Sequence, residues 1–312
     1  MINKKIKACA LHAAPIYMDK AASLRKVISL ISQAAVEDIE LLAFPEVFVP
    51  GFPYFTNCYP PNAATVALCK PRARRNKVVV VLGVSERMRG GHTLFNSIVT
   101  IDADGTILGV HRKVQPTWAE RLVWGQGSGY TLKTYEPKGA GYRIGGLACW
   151  EHTMNGARQA LIDQGQHVHV GCWPALDILE GFENVASAQI EALMKTHALT
   201  AQVFVLCPSS YVDETCLQWM EKNLGPQDKV KPGGGWTAII HPFCSFVAGP
   251  YMSDFDLLVV GEIDLSQLDL VKAYVDGAGH YKRPEVFRLD VDTTQRWRDE
   301  PDVVGPIPWK KL

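Results

Sequence analysis

Apolar and polar positions along the chain follow two alternating periods. Short runs rich in β-branched residues, bounded by turn residues, predict strands over 5–13 (KIKACALHA), 39–46 (IELLAFPE), 77–86 (KVVVVLGVSE), 94–102 (LFNSIVTID) and 106–113 (TILGVHRK). The last two are joined by the hairpin signal ADG. Further strands are predicted over 142–150, 167–174, 202–210, 236–243 and 257–264. Apolar residues recur at helical spacing over 20–38, 155–165, 183–201 and 265–276. The fold class is therefore α/β. Some ten strands are many for one open sheet, so two sheets packed face to face with helices outside is the economical arrangement. No repeat or Gly/Ser-rich linker divides the chain, and we expect one domain over 1–285 followed by a tail over 286–312. That tail is charged, and its three prolines all fall after residue 300.

Composition narrows the partners. Among the 312 residues Lys+Arg and Asp+Glu number 32 each, so no long-range field favours a polyanion, and no nucleic acid is expected. The one basic cluster, PRARRNK from Pro71 to Lys77, reads as a solvated face. No apolar run approaches the roughly 18 residues of a membrane span. The start MINKKIKACALHAAP has the lysines of a signal peptide, but His12 and Pro15 break its apolar patch, and it reads as a first strand. The cysteines at 9, 58, 69, 149, 172, 207, 216 and 244 form no CxxC pair, which fits reduced thiols and a cytoplasmic setting.

Three apolar runs stop at residues able to do chemistry: LLAFPE at Glu46, ILGVHRK at Lys113 and IGGLAC at Cys149. Sites in α/β proteins gather at the carboxyl ends of strands, so these distant residues can share one crevice. A free thiol is only a few per cent ionised at neutral pH, and full ionisation needs about 2 kcal/mol from a base or a nearby cation. Glu46 offers the base and Lys113 the cation, and together the three supply what covalent catalysis requires. Cys149 also precedes a helix predicted from about Asn155, where backbone N–H groups face a thiolate or a developing anion. Other patterns remain open. His152 suggests a Cys–His dyad, although no cysteine-protease signature accompanies it. His167 and His169, at i and i+2, with Cys172 nearby, suggest zinc, or else the polar side of a half-buried strand. Gly233, Gly234 and Gly235 lack a following GK[ST] and read as a tight turn.

Taken together, FPEVFVPGFP (44–53), HRKVQPTWAERLVWGQG (111–127), GGLACWEH (145–152), HVGCWPAL (169–176), GGGWTAIIHP (233–242) and GHYKRPEVF (279–287) resemble, in order, the segments of the nitrilase branch of the carbon–nitrogen hydrolase family. The resemblance spans nearly the whole chain. It implies a four-layer α-β-β-α sandwich of two mixed sheets and a Glu–Lys–Cys triad. Glu46 is then the general base, Lys113 the cation, Cys149 the nucleophile, and Glu120 in PTWAER the second glutamate that orients water and lysine. It further implies no metal or organic cofactor, a small-molecule nitrile as substrate, and a homodimer or larger homo-oligomer. Tyr54, Trp150, Trp173 and Trp236, in or beside these segments, are the expected aromatic walls of the substrate pocket.

Overall fold

The computed structural model describes residues 4–54 and 76–299. Cys58, Cys69, most of the 71–77 basic cluster and the end of the tail lie outside the described residues. Two mixed sheets stack face to face. The first contains β1 (Lys5–His12), β2 (Leu41–Ala43), β3 (Val79–Arg87), β4 (Leu94–Ile101), β5 (Ile107–Arg112) and β11 (Leu257–Asp264), in the order β11-β1-β2-β3-β4-β5. The second contains β6 (Ile144–Ala148), β7 (Val168–Cys172), β8 (Phe204–Cys207), β9 (Thr237–Ile240) and β10 (Phe246–Tyr251), in the order β10-β9-β8-β7-β6. In each sheet parallel pairs (β1–β2–β3 and β6–β7–β8) sit beside antiparallel ones.

The period-2 pattern explains the layering. In β1, Ile6, Ala8 and Ala10 face the second sheet and pack with Ile144, Val168, Val170, Phe204, Leu206 and Ile239. Cys9 and Leu11, from the opposite face, pack under helix α1 (Lys20–Val36), whose Leu24, Val27, Leu30, Ile31 and Ala34 form one stripe. Asp19 caps α1 by accepting from Ala22 N at 2.8 Å. Behind the second sheet, helix α2 (Asn155–Ile162) and helix α3 (Ala186–Ala201) bury Leu161, Ile190, Met194 and Ala198. The result is the four-layer α-β-β-α sandwich expected from the sequence.

Two elements escape the pattern. Helix α4 (Glu214–Leu224) buries only Cys216 and Met220, so its stripe is too thin to read. Strand β10 is an edge strand whose pairing with β9 shifts register twice, between Phe246 and Ala248 and again across Gly249 and Pro250, which erases alternation. Helix α5 (Gln267–Tyr274) follows β11 as expected. The run predicted as a strand over 39–46 pairs only at Leu41–Ala43, after which the chain turns away carrying Glu46. Gly83 in β3 makes room for that turn, since a Cβ there would stand 2.2 Å from the Pro45 carbonyl oxygen.

Candidate active site

Glu46 follows β2, Lys113 follows β5 and Cys149 follows β6, so the three strand ends deliver the three side chains to one point between the sheets. All three are about 1% exposed. Lys113 Nζ donates to Glu46 Oε1 at 3.0 Å and to Glu120 Oε2 at 2.8 Å. Cys149 Sγ and one oxygen from each of Glu46 and Glu120 lie within 4.8 Å of one another. Thiol and carboxylate clusters of this spacing can hold a cation, and here the Lys113 ammonium contacts both carboxylates and supplies the positive charge. Glu120 lies in a 3-10 turn (Trp118–Leu122) and also accepts from Thr117 N at 2.9 Å, which fixes its carboxylate toward the lysine.

Residues in the left-handed region stand at or near three of the four groups: Val47 (φ 46°) next to Glu46, Trp118 (φ 45°) two before Glu120, and Cys149 itself (φ 52°). Such conformations cost about 1–3 kcal/mol each for non-glycine residues and collect where geometry matters more than stability. At Cys149 the turn lifts the thiol off the end of β6 and directs the chain into a 3-10 turn (Cys149–Thr153) before α2. The backbone N–H of Trp150 lowers the thiol's pKa slightly, against the larger effect of burial.

Burial sets the resting protonation. It raises Glu46, against the opposing pull of Lys113, to about 7. Burial, reinforced by Glu46, pushes the Cys149 thiol well above its usual range, and the Lys113 charge only partly opposes this. For Lys113 burial works against the charge, but Glu46 and Glu120 outweigh it and raise its pKa. The resting cluster therefore holds a neutral thiol, an ammonium, and a base poised near neutrality.

Two further polar residues complete the frame. Asn96 in β4 donates its side-chain N–H to Glu46 Oε1 at 2.5 Å, and its carbonyl accepts from Lys113 N at 2.8 Å. It thereby fixes base and lysine to one strand and leaves Glu46 Oε2 as a buried oxygen with no partner among the described residues. Glu151 accepts from Ala148 N (3.0 Å), Val114 N (2.6 Å) and His111 Nε2 (3.1 Å), which ties the residue before the nucleophile to the residue after the lysine. Burial alone would discharge both partners, but each holds the other's charge: His111 is raised and Glu151 lowered. The only signal for either in the sequence was a polar residue in a strand interior (Asn96) or in a turn (Glu151).

The aromatic residues divide. Tyr54 lines a small cavity with Glu46, Phe48, Phe52, Ser210 and Tyr211, and its hydroxyl meets Ser210 Oγ and Ala175 N, each at 3.1 Å. Trp150 is half-buried beside Cys149, edge-on to Trp173 at 6.5 Å. Trp173 and Trp236 are buried in the apolar cluster behind Cys149, together with α3. His152 does not face the thiol. Its Nδ1 donates to the Cys149 carbonyl at 2.6 Å, which removes the ground for a Cys–His dyad. His167, His169 and Cys172 form no group of metal-ligand spacing among the described residues, since His167 Nδ1 accepts from Arg143 N and His169 turns toward His152. Gly233, Gly234 and Gly235 all have positive φ, but in place of the expected tight turn Gly233 bridges Val212 and Gly235 N donates to Asp177 Oδ1 at 2.8 Å.

A thiol, two carboxylates and a lysine thus meet at the ends of three strands of a four-layer sandwich. The family model described as carbon-nitrogen hydrolase matches residues 8–273. An aliphatic nitrilase from Rhodococcus rhodochrous is 33% identical over 305 residues, covering 91% of this chain and 82% of the relative. An arylacetonitrilase from Aspergillus kawachii is 30% identical over 309 residues, with 93% of each chain covered. A nitrilase-superfamily structure from Saccharomyces cerevisiae superposes with a TM-score of 0.69 over 91% of this chain and 98% of its own, at 19% identity. The chain belongs to the carbon–nitrogen hydrolase family, in its nitrilase branch, and is a hydrolase acting on carbon–nitrogen bonds. No helix among the described residues is long and apolar enough to cross a membrane.

Proposed function

We propose that the protein hydrolyses an organic nitrile to the carboxylic acid and ammonia through a covalent intermediate on Cys149. The observation that carries this reading is the buried cluster of Cys149 Sγ with the Glu46 and Glu120 carboxylates within 4.8 Å, held around Lys113. Glu46 takes the thiol proton and sulfur attacks the nitrile carbon. The charge developing on nitrogen is stabilised by the Lys113 ammonium and the Trp150 N–H, and a proton returned through Glu46 gives the thioimidate. Water, deprotonated by Glu46, adds to that carbon. Protonation of the nitrogen then expels ammonia and leaves an acyl-enzyme. A second water releases the acid and restores the thiol, so one nitrile and two waters become one acid and one ammonia.

Glu120 holds Lys113 and orients the attacking water, Tyr54 borders the pocket, and Trp150, Trp173 and Trp236 support its inner wall. This assignment draws on the nitrilase names of relatives that are 30–33% identical. It includes a single domain over 1–285, self-association into dimers or larger oligomers, and a cytoplasmic location. The test is incubation with aliphatic, aromatic and arylacetic nitriles, cyanide and the matching amides, with ammonia and acid measured. Equimolar acid and ammonia from a nitrile, abolished in Cys149→Ala, is the expected result. Amides turned over faster than every nitrile would make the protein an amidase, and amide as the main product would make it a nitrile hydratase.

A further inference from the structure

Four polar side chains behind the nucleophile take no part in the chemistry above. His152, His169 and His197 are each 0% exposed, and Gln166 is 1% exposed. They join end to end: His197 Nε2 to Gln166 Oε1 at 3.0 Å, Gln166 Nε2 to His169 Nδ1 at 2.9 Å, His169 Nε2 to His152 Nε2 at 2.8 Å, and His152 Nδ1 to the Cys149 carbonyl at 2.6 Å. The His152 ring is stacked on Trp173, with centroids 5.4 Å apart and planes 18° from parallel. Gly171 in β7 makes room for it, since a Cβ there would come within 3.2 Å of His152 Nε2.

The direction of every bond follows from one fact: a carbonyl only accepts. His152 must therefore carry its proton on Nδ1, which leaves Nε2 as an acceptor when the ring is neutral. His169 must then donate from Nε2 and accept at Nδ1. Gln166 supplies that donor from its amide nitrogen, so its oxygen must accept from His197 Nε2–H. His197 Nδ1 is left as a lone pair with no partner among the described residues. Burial keeps all three rings neutral by lowering His152 to about 4 and His169 and His197 well below their ordinary value.

The carbonyl at the end of this chain shares a peptide plane with the Trp150 N–H, the backbone group next to Cys149 that favours its thiolate. Fixing the oxygen on one side of the plane fixes the N–H on the other, and hydrogen bonding to the oxygen strengthens the N–H as a donor. We propose that His197, Gln166, His169 and His152 form a one-directional hydrogen-bond relay that orients and polarises the Cys149–Trp150 peptide, making them positioning residues for the nucleophile. The proposal rests on Cys149 being the nucleophile. Its far end matters most. Without the His197 donor, the Gln166 amide is free to turn over, which forces His169 onto its other tautomer and brings two acceptor nitrogens face to face at His152.

Two measurements test this. Tautomers assigned from imidazole nitrogen-15 shifts in the parent should show His152 protonated at Nδ1 and both His169 and His197 at Nε2. His152 protonated at Nε2 would overturn the relay, and no variant or substrate is needed to see it. Second, His197→Phe should lower kcat about tenfold with KM nearly unchanged, the pattern of an interaction felt in the transition state. It should slow iodoacetamide alkylation of Cys149 in parallel. His197→Gln, whose amide nitrogen lies the same number of bonds from Cα as the imidazole Nε2, should recover most of both rates. Parent-like kcat in His197→Phe, or equal losses in both variants, would reduce the chain to ordinary core packing. A parent silent on every nitrile would refute the proposed substrate while the tautomers and alkylation rates still decide the relay.

Discussion

Replacing Lys113 with methionine removes the charge from the centre of the cluster while keeping nearly the same volume. In the parent, the ammonium lies 3.0 Å from Glu46, and the Glu46 and Glu120 oxygens lie within 4.8 Å of each other. With an effective dielectric constant of about 20, the attraction is worth about 5.5 kcal/mol and the carboxylate repulsion at least about 3.5 kcal/mol. Lys113→Met leaves only the repulsion, in a site from which water is nearly excluded. Buried pairs broken in this way cost about 3–5 kcal/mol. Protonation of Glu46 is the escape. Its folded pKa, already raised to about 7 by burial, rises further without the lysine. A carboxylate raised above its unfolded value makes the native state bind the extra proton, so stability falls as pH rises from the unfolded value through the folded one. Urea unfolding followed by circular dichroism should show a deficit against the parent that is about 1.4 kcal/mol larger at pH 8 than at pH 5, the worth of the pH unit over which only the variant still holds its proton. Lys113→Met/Glu46→Gln should recover most of that loss, yet neither variant should release ammonia. Equal deficits at the two pH values, or a double variant no more stable than the single one, would refute this account of the cluster.

Cys149→Ala should abolish turnover with folding intact, and limiting alkylation of the parent should label Cys149 first, read by peptide mass; first labelling at Cys172 or Cys207 would contradict the assignment. The rate at low substrate should fall below about pH 7 as Glu46 gains the proton it must lack to act as base, so a profile flat down to pH 5 would remove Glu46 from that role. Tyr54→Ala should reorder the rates among nitriles more than it lowers the melting temperature, because its hydroxyl borders the cavity beside Glu46. Glu120→Gln should raise the fraction of amide over acid, measured by chromatography at early turnover. A change of about 1.4 kcal/mol between the two exits from the tetrahedral intermediate alters the ratio tenfold.

The residues brought together at the site were legible because each ends an apolar run, and a run that stops abruptly at Glu46, Lys113 or Cys149 marks a strand end. Glu120 was legible only through the family resemblance, since nothing in PTWAER itself announces a buried contact. Asn96, Glu151 and Gln166 were not legible. Their meaning lies in partners 50, 37 and 31 residues away respectively, and no local period encodes that. HVHVG read as a half-buried strand with polar alternation, but β7 is buried on both faces and His169 satisfies itself through other buried polar groups. Trp173 and Trp236, expected as pocket walls from their neighbours in sequence, are buried in the apolar cluster that holds Cys149 together with Ile190, Met194 and Ala198 of α3.

On the proposed mechanism, the charge balance of the cluster lets a thiol raised by burial react. With Glu46 ionised and Lys113 protonated beside a neutral Cys149, the three groups carry no net charge. Moving the thiol proton to Glu46 keeps that total unchanged, so forming the thiolate buries no new charge and needs no outside proton acceptor. The Glu46 pKa near 7 is what makes the transfer feasible, because an ordinary carboxylate would hold the proton too weakly. Burial raises donor and acceptor alike, while the Lys113 ammonium lies 3.0 Å from Glu46 and its charge opposes the rise of the Cys149 thiol. The frame of Asn96 and Glu151 then keeps four side chains, from three strand ends and a 3-10 turn, in register while a proton moves among them.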